Sequence, residues 1–223
     1  MNNNKAIITT ILIIVFSFIL GIISNDLYYG FIALLSGTLN IWLQANGKSS
    51  NYIFGCIFNL CNAYISYINN LYGLFFLSLV LYLPLNIYGF FSWNKSKKDD
   101  FEITFRKYNR SKSYKIIILS ILFSFIFGLL LGIIPSQKLE LLDSSSNILN
   151  ISGMILLNKR LNEGWYILLF NNIIDLIIWI INFINNGPNS FMMLMVSIFY
   201  LLINIYGIYK WKNASIIKWK TIK

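Results

Sequence analysis

Apolar residues in this chain gather into long runs separated by short polar breaks, with no short-period alternation. Eight runs, at about residues 6–24, 27–46, 52–69, 72–93, 114–134, 144–158, 164–186 and 188–211, each read as a helix. A helix needs about 20 largely apolar residues to cross a hydrocarbon core, and runs of this length with so few charges predict spanning helices. The sixth run is short and opens on Asp143, Ser144, Ser145, Ser146 and Asn147. Polar groups at membrane depth must face protein or water rather than lipid, so this helix is expected to line a cavity. The first run imitates a signal peptide, but it is too long and lacks a small-residue exit, and it is read as a retained helix.

The breaks carry the charge. If the eight helices alternate in direction, one side collects Lys5, Lys48, the basic residues from Lys95 to Lys115, Lys159, Arg160, Lys210, Lys212, Lys218, Lys220 and Lys223. The other side holds Lys138 alone, a split of 17 to 1 among the 18 basic residues. The excess of Lys and Arg marks the cytoplasmic side, so both termini are expected inside. Deleting the sixth helix would move Lys159, Arg160 and the tail outside, so the same argument supports that weakest span.

A formal charge of +10 could suggest a nucleic-acid partner, but the basic residues are dispersed between apolar runs rather than gathered on one folded face, so none is expected. Only 12% of residues are charged and 57% are hydrophobic, against about 25% charged in an ordinary soluble domain. The lipid bilayer is therefore the expected partner. With no histidine and only Cys56 and Cys61, both in an apolar run, zinc sites and cysteine–histidine nucleophiles lack their parts. No metal or cofactor is expected, and no catalytic residue. An integral-membrane enzyme acting on lipid would need clustered Asp, Glu or His, and only Asp99 and Asp100 are adjacent, in a lysine-rich loop.

One stretch is spelled twice. Residues 82–93 and 200–211 agree at seven of twelve positions, displaced by 118 residues: Tyr82/Tyr200, Leu83/Leu201, Asn86/Asn204, Ile87/Ile205, Tyr88/Tyr206, Gly89/Gly207 and Trp93/Trp211. Helices four and eight carry the copies and run the same way. The expected fold is all-α and integral to the membrane, with two parallel three-helix bundles at 26–94 and 136–212. A linker helix at 114–135 follows a basic loop at 95–113, an extra helix occupies 1–25, and a basic tail occupies 213–223.

Candidate binding groups follow from what is polar at mid-span. Asp175 is the one acidic residue near the middle of a predicted span, and such a group needs a partner or a wet cavity. Trp165, Asn172, Asp175, Trp179 and Asn182 recur at helical spacing and form one stripe. Aromatic faces with carboxamide and carboxylate groups suit a planar heterocycle bearing hydroxyls, while interhelical packing is the plainer use of such residues. Asn59 and Asn62 offer a facing surface on helix three, and Asn86, Tyr200 and Asn204 come from the repeated stretch. Trp93 and Trp211, beside lysines at helix ends, read as interfacial anchors.

Taken in order, several pieces resemble the PnuC family of bacterial vitamin transporters. They are Asn46-Gly47-Lys48, Asn51 to Gly55, Leu83-Pro84 with Gly89 and Trp93, Lys159-Arg160, Glu163 with Trp165, Asn172, Trp179, Asn189-Ser190, Tyr200, Tyr206-Gly207 and Trp211. The resemblance implies a three-plus-one-plus-three helix fold related to the SWEET sugar transporters, assembled as a homotrimer. It implies facilitated diffusion of nicotinamide riboside, trapped inside by phosphorylation, with thiamine and riboflavin carried by relatives. The family has a Trp-x-x-Trp pair where this chain has Trp165 and Leu168, so Trp165 carries over and the second stacking surface does not, unless Trp179 substitutes for it.

Overall fold

The computed structural model describes the backbone of residues 3–24, 26, 28–95 and 110–221, with the side chains of these except 3–7, 110–114, 117 and 214–221. Asp99 and Asp100, with most of the basic loop, lie outside the described residues. The chain forms eight helices and, among the described residues, no strand: α1 (Asn3–Ile23), α2 (Tyr29–Ala45), α3 (Asn51–Ile68), α4 (Tyr72–Asn94), α5 (Arg110–Leu131), α6 (Glu140–Asn158), α7 (Glu163–Ile184) and α8 (Ser190–Thr221). Each predicted run is thus one helix. The eighth continues through the expected tail to Thr221.

The helices pack as two sets. α2 and α4 flank α3, and α6 and α8 flank α7. The sets meet where α2 lies against α8 and α4 against α6; α1 adds to α2, and α5 adds to α6. The outward faces of α1 and α5 remain covered in exposed apolar side chains, among them Leu12, Phe18, Ile121 and Phe125. In a membrane these meet lipid or another subunit, so their exposure costs nothing.

α4 departs from regular geometry at one place. Pro84 has no N–H and its ring clashes with the carbonyl four residues back. The chain answers with a wider, π-helical stretch over Ser78–Tyr82, in which the Leu83 N–H bonds to the Ser78 carbonyl five residues back. This adjustment sets Ser78 and Tyr82, both fully or almost fully buried, toward neighbouring helices.

The two ends of the bundle are tied differently. At the end bearing Lys138, the Asn69 side chain donates to the Pro188 carbonyl at 2.9 Å and the Lys138 N–H donates to the Asn70 carbonyl at 2.9 Å. At the opposite, basic end lie Lys48, Lys95, Lys159, Arg160, Lys210 and Lys212. There Ser49 Oγ donates to Asn94 Oδ1 at 2.7 Å, and Lys210 Nζ donates to Asn46 Oδ1.

Trp93 and Trp211 are not interfacial anchors. Both are 0% exposed, with ring centroids 6.0 Å apart in one core cluster. Trp93 Nε1 donates to the Leu157 carbonyl at 3.1 Å and Trp211 Nε1 to the Ala45 carbonyl at 3.1 Å. Each ring therefore closes the last turn of a helix in the other set, where carbonyls lack a partner within their own helix.

Candidate substrate site

α7 supplies the expected stripe. Trp165, Asn172, Trp179 and Asn182 are buried, and Asp175 is half-buried. The Trp165 ring lies over Gly207 of α8, where a Cβ would stand 2.8 Å from it; any larger residue at 207 would displace the indole. Two turns further along, Asn172 Nδ2 donates to the Tyr200 carbonyl at 3.2 Å.

Asp175 is held on both oxygens. Ser146 Oγ donates to Oδ1, and Asn171 Nδ2 donates to Oδ2 at 2.8 Å. Two neutral donors hold this half-buried carboxylate between α6 and α7, with no cation beside it among the described residues. The polar start of α6 does not line the cavity expected from the sequence but is packed against protein: Asp143, Ser144, Ser146 and Asn147 are all at most 2% exposed and bond to neighbouring groups.

The other expected residues approach from the first set. Asn59 is 5% exposed on α3, next to Phe58, whose ring meets Tyr200 at 5.7 Å between centroids. Asn62 Nδ2 donates to Ser78 Oγ at 3.2 Å, which uses the residue that the π-helical stretch turns inward. Asn86 folds back on its own helix, donating to the Tyr82 carbonyl at 2.9 Å, with Oδ1 pressed on Gly55. Asn204, its sequence counterpart, behaves differently. It is 0% exposed and neither carboxamide atom has a partner among the described residues.

Several other buried atoms share that condition: Asn62 Oδ1, Asn171 Oδ1, Thr38 Oγ1 and Trp165 Nε1. Each such group costs about 1–3 kcal/mol while unpaired, and a hydroxylated guest able to pair with it recovers that cost. Thr38 was not read from the sequence as a candidate; its place in α2 next to Gly37, which touches Tyr200, is visible only once α2 and α8 are packed.

Trp165 and Trp179 do not form two walls of one slot. They stand 14 residues apart, about 21 Å along a helix axis. Trp165 belongs to the cluster around Trp93 and Trp211, whereas Trp179 packs with Tyr82, Ile65 and Met192. Trp179 therefore does not substitute for the second stacking ring, and that surface is missing from this chain. At position 168 the Leu side chain fills space against Gly153 of α6 instead.

The sequence reading also missed Asp143. It is 1% exposed and accepts from the Gly73 N–H at 3.1 Å, Gln137 Nε2 at 2.9 Å and Asn147 Nδ2 at 2.7 Å. Asn147 Oδ1 in turn accepts from the Tyr82 hydroxyl at 2.6 Å. This chain of bonds joins the α5–α6 connection, α6 and the π-helical stretch of α4. A cleft of about 440 Å³ at the Lys138 end, lined by Ser24, Asp26, Asn186 and Asn189 among others, contains none of the expected residues.

Comparison with known proteins adds to this geometry. A family described as "Nicotinamide mononucleotide transporter" matches residues 27–213. The nicotinamide riboside transporter PnuC of Neisseria mucosa is 26% identical over 200 residues, covering 85% of this chain and 74% of that protein. The protein of the same name from Haemophilus influenzae is 28% identical over 189 residues, covering 83% and 80%. A crystal structure of "the Vitamin B3 transporter PnuC" superposes with a TM-score of 0.83 at 23% identity, covering 96% of this chain and 92% of that one, and so shares its fold.

Proposed function

The chain belongs to the nicotinamide mononucleotide transporter family, and from that premise we propose that it carries nicotinamide riboside across the bacterial cytoplasmic membrane by facilitated diffusion. The observation that carries the choice of substrate is the chemistry at mid-depth. Asn172, Asn204, Asn62, Thr38 and Tyr200 offer carboxamides and hydroxyls and Asp175 offers a carboxylate, while Trp165 offers an indole N–H nearer the basic end. Among the described residues the one buried base is Arg160, at the basic end. A riboside pairs with such groups through its ribose hydroxyls and carboxamide, and its pyridinium charge suits Asp175. The phosphate dianion of the mononucleotide would be desolvated there with no cation to receive it.

The helix packing supports the reading of 26–94 and 136–212 as two parallel repeats joined by α5, SWEET-like in a three-plus-one-plus-three order. In each set the last helix meets the first helix of the other, and the paired Trp93 and Trp211 bonds repeat that relation. The substrate then passes at the interface of the repeats, where such transporters bind. The basic asymmetry supports cytoplasmic termini, and phosphorylation inside the cell would trap the product. Assembly as a homotrimer rests on the resemblance, with the apolar faces of α1 and α5 free to meet a neighbour or lipid.

Thiamine and riboflavin are the competing ligands. A ligand that binds only the folded state raises its apparent stability. In a thermal-shift panel on the detergent-solubilised chain, nicotinamide riboside is expected to raise the melting temperature, with smaller or no shifts from thiamine, riboflavin and nicotinamide mononucleotide. A shift from riboflavin or thiamine alone would overturn the choice of substrate.

A further inference from the structure

The cleft at the Lys138 end is a site that the transport reading does not use. It opens between the α1–α2 and α7–α8 connections and is lined by Asp26, Asn186, Asn189, Ser190, Phe183 and Phe191 among others. Its volume of about 440 Å³ lies in the range of small-molecule pockets, about 300–1,000 Å³. Asp26 is fixed in its wall: Oδ1 accepts from the Gly30 N–H at 3.1 Å and Oδ2 accepts from Asn189 Nδ2. Two neutral donors leave the carboxylate charge uncompensated and with acceptor capacity to spare. No Lys or Arg is among the residues that line the cleft.

The rest of the lining is complementary. Phe183 and Phe191 form a ring pair with centroids 5.9 Å apart, an apolar aromatic wall that also attracts cations. Asn186, Asn189 and Ser190 add carboxamides and a hydroxyl. Met192, also in the lining, belongs to the core cluster that contains Trp179, so the cleft sits directly above the packed interior. The field agrees with its wall. The described charged side chains at this end are Asp26, Lys138, Glu140 and the buried Asp143, while Lys48, Lys95, Lys159, Arg160, Lys210 and Lys212 gather at the far end.

We propose that this cleft is an outer docking site for singly charged, N-substituted pyridinium ribosides, in which Asp26 pairs with the ring cation, the phenylalanines contact the ring and the asparagines meet the ribose. The inference rests on the transport reading and on the basic end facing the cytoplasm. It assigns Asp26 the task of concentrating a cation at the outer mouth before it passes inward. Such a site raises the rate of capture, and its effect is electrostatic, so salt weakens it.

The test is initial uptake into proteoliposomes containing the full chain, with labelled nicotinamide riboside and its uncharged dihydro form as parallel substrates. At low salt, Asp26→Asn is expected to raise the apparent KM for the cation about fivefold, the upper end of the effect of removing one solvent-exposed ion pair, with the maximal rate unchanged. The KM for the uncharged form is expected to stay put, which also shows that the variant is folded. The difference should shrink at high salt, and Asn186→Asp in the Asp26→Asn background should restore capture of the cation. An unchanged KM for the cation at low salt, or equal losses for both substrates, would overturn the docking site. Absence of riboside uptake by the unaltered chain would instead overturn the transport reading beneath it.

Discussion

Asn172→Ala is expected to lower nicotinamide riboside uptake about 10- to 100-fold while leaving the melting temperature of the chain within a few degrees of its starting value. The separation of the two effects follows from how Asn172 is bonded. Its Nδ2 donates to the Tyr200 carbonyl, a backbone group inside α8 that accepts within its own helix as well. Removing the side chain therefore leaves no orphaned acceptor. What is lost is a buried carboxamide beside Tyr200 and Asp175, and an anchoring hydrogen bond to a buried polar guest is worth about 1.5–3 kcal/mol where charge is involved. Uptake by purified variant and parent in proteoliposomes, with melting in detergent, measures both. Trp165→Ala would confuse the two effects, because deleting a fully buried indole leaves a cavity costing about 3–5 kcal/mol. Normal uptake by Asn172→Ala would move the site away from α7.

Asp143→Ala is expected to do the reverse, with a large loss of stability. The carboxylate serves three donors, the Gly73 N–H, Gln137 Nε2 and Asn147 Nδ2, all in an environment where water is scarce. At about 1–3 kcal/mol per buried donor the three together cost about 3–9 kcal/mol, toward the low end because Gln137 Nε2 also donates to the Lys138 carbonyl and Asn147 Nδ2 to the Asp143 carbonyl. The scaling for chains of this size gives a fall in melting temperature of roughly 10 °C. Asp143→Asn should lose less, because one carboxamide oxygen still accepts while its NH2 confronts a donor. Specific uptake per folded molecule should change little, since Asp143 braces α4 and α6 rather than meeting the substrate. A variant that melts like the parent would show that this network contributes no stability.

The run lengths and charge parity make eight helices legible, because membrane spans are dictated by hydrocarbon thickness and polarity alone. That the polar start of α6 turns away from lipid was legible for the same reason. What escapes is whatever depends on the other half of the molecule. A Trp beside lysines at a helix end looks like an interfacial anchor, and only the packing of α4 on α6 and α8 on α2 reveals that Trp93 and Trp211 close foreign helix ends. Asp143 reads as the frayed beginning of a weak span until Gly73 and Gln137, distant in sequence, are brought to it. The π-helical stretch had its signal in Pro84, but a proline inside a run does not say how the helix will accommodate it. The twin asparagines show the limit of repeat logic: Asn86 bonds to its own helix, whereas Asn204 keeps both polar atoms unpaired in the core.

The central claim is that a neutral and acidic interior carries the riboside passively and refuses the mononucleotide. It is tested most directly by uptake of the two labelled compounds into proteoliposomes without and with sodium or pH gradients. Nicotinamide riboside is expected to enter until inside and outside concentrations are equal, at a rate indifferent to either gradient, while the mononucleotide stays out. Accumulation of the riboside above its external concentration, or preferred entry of the mononucleotide, would contradict the account.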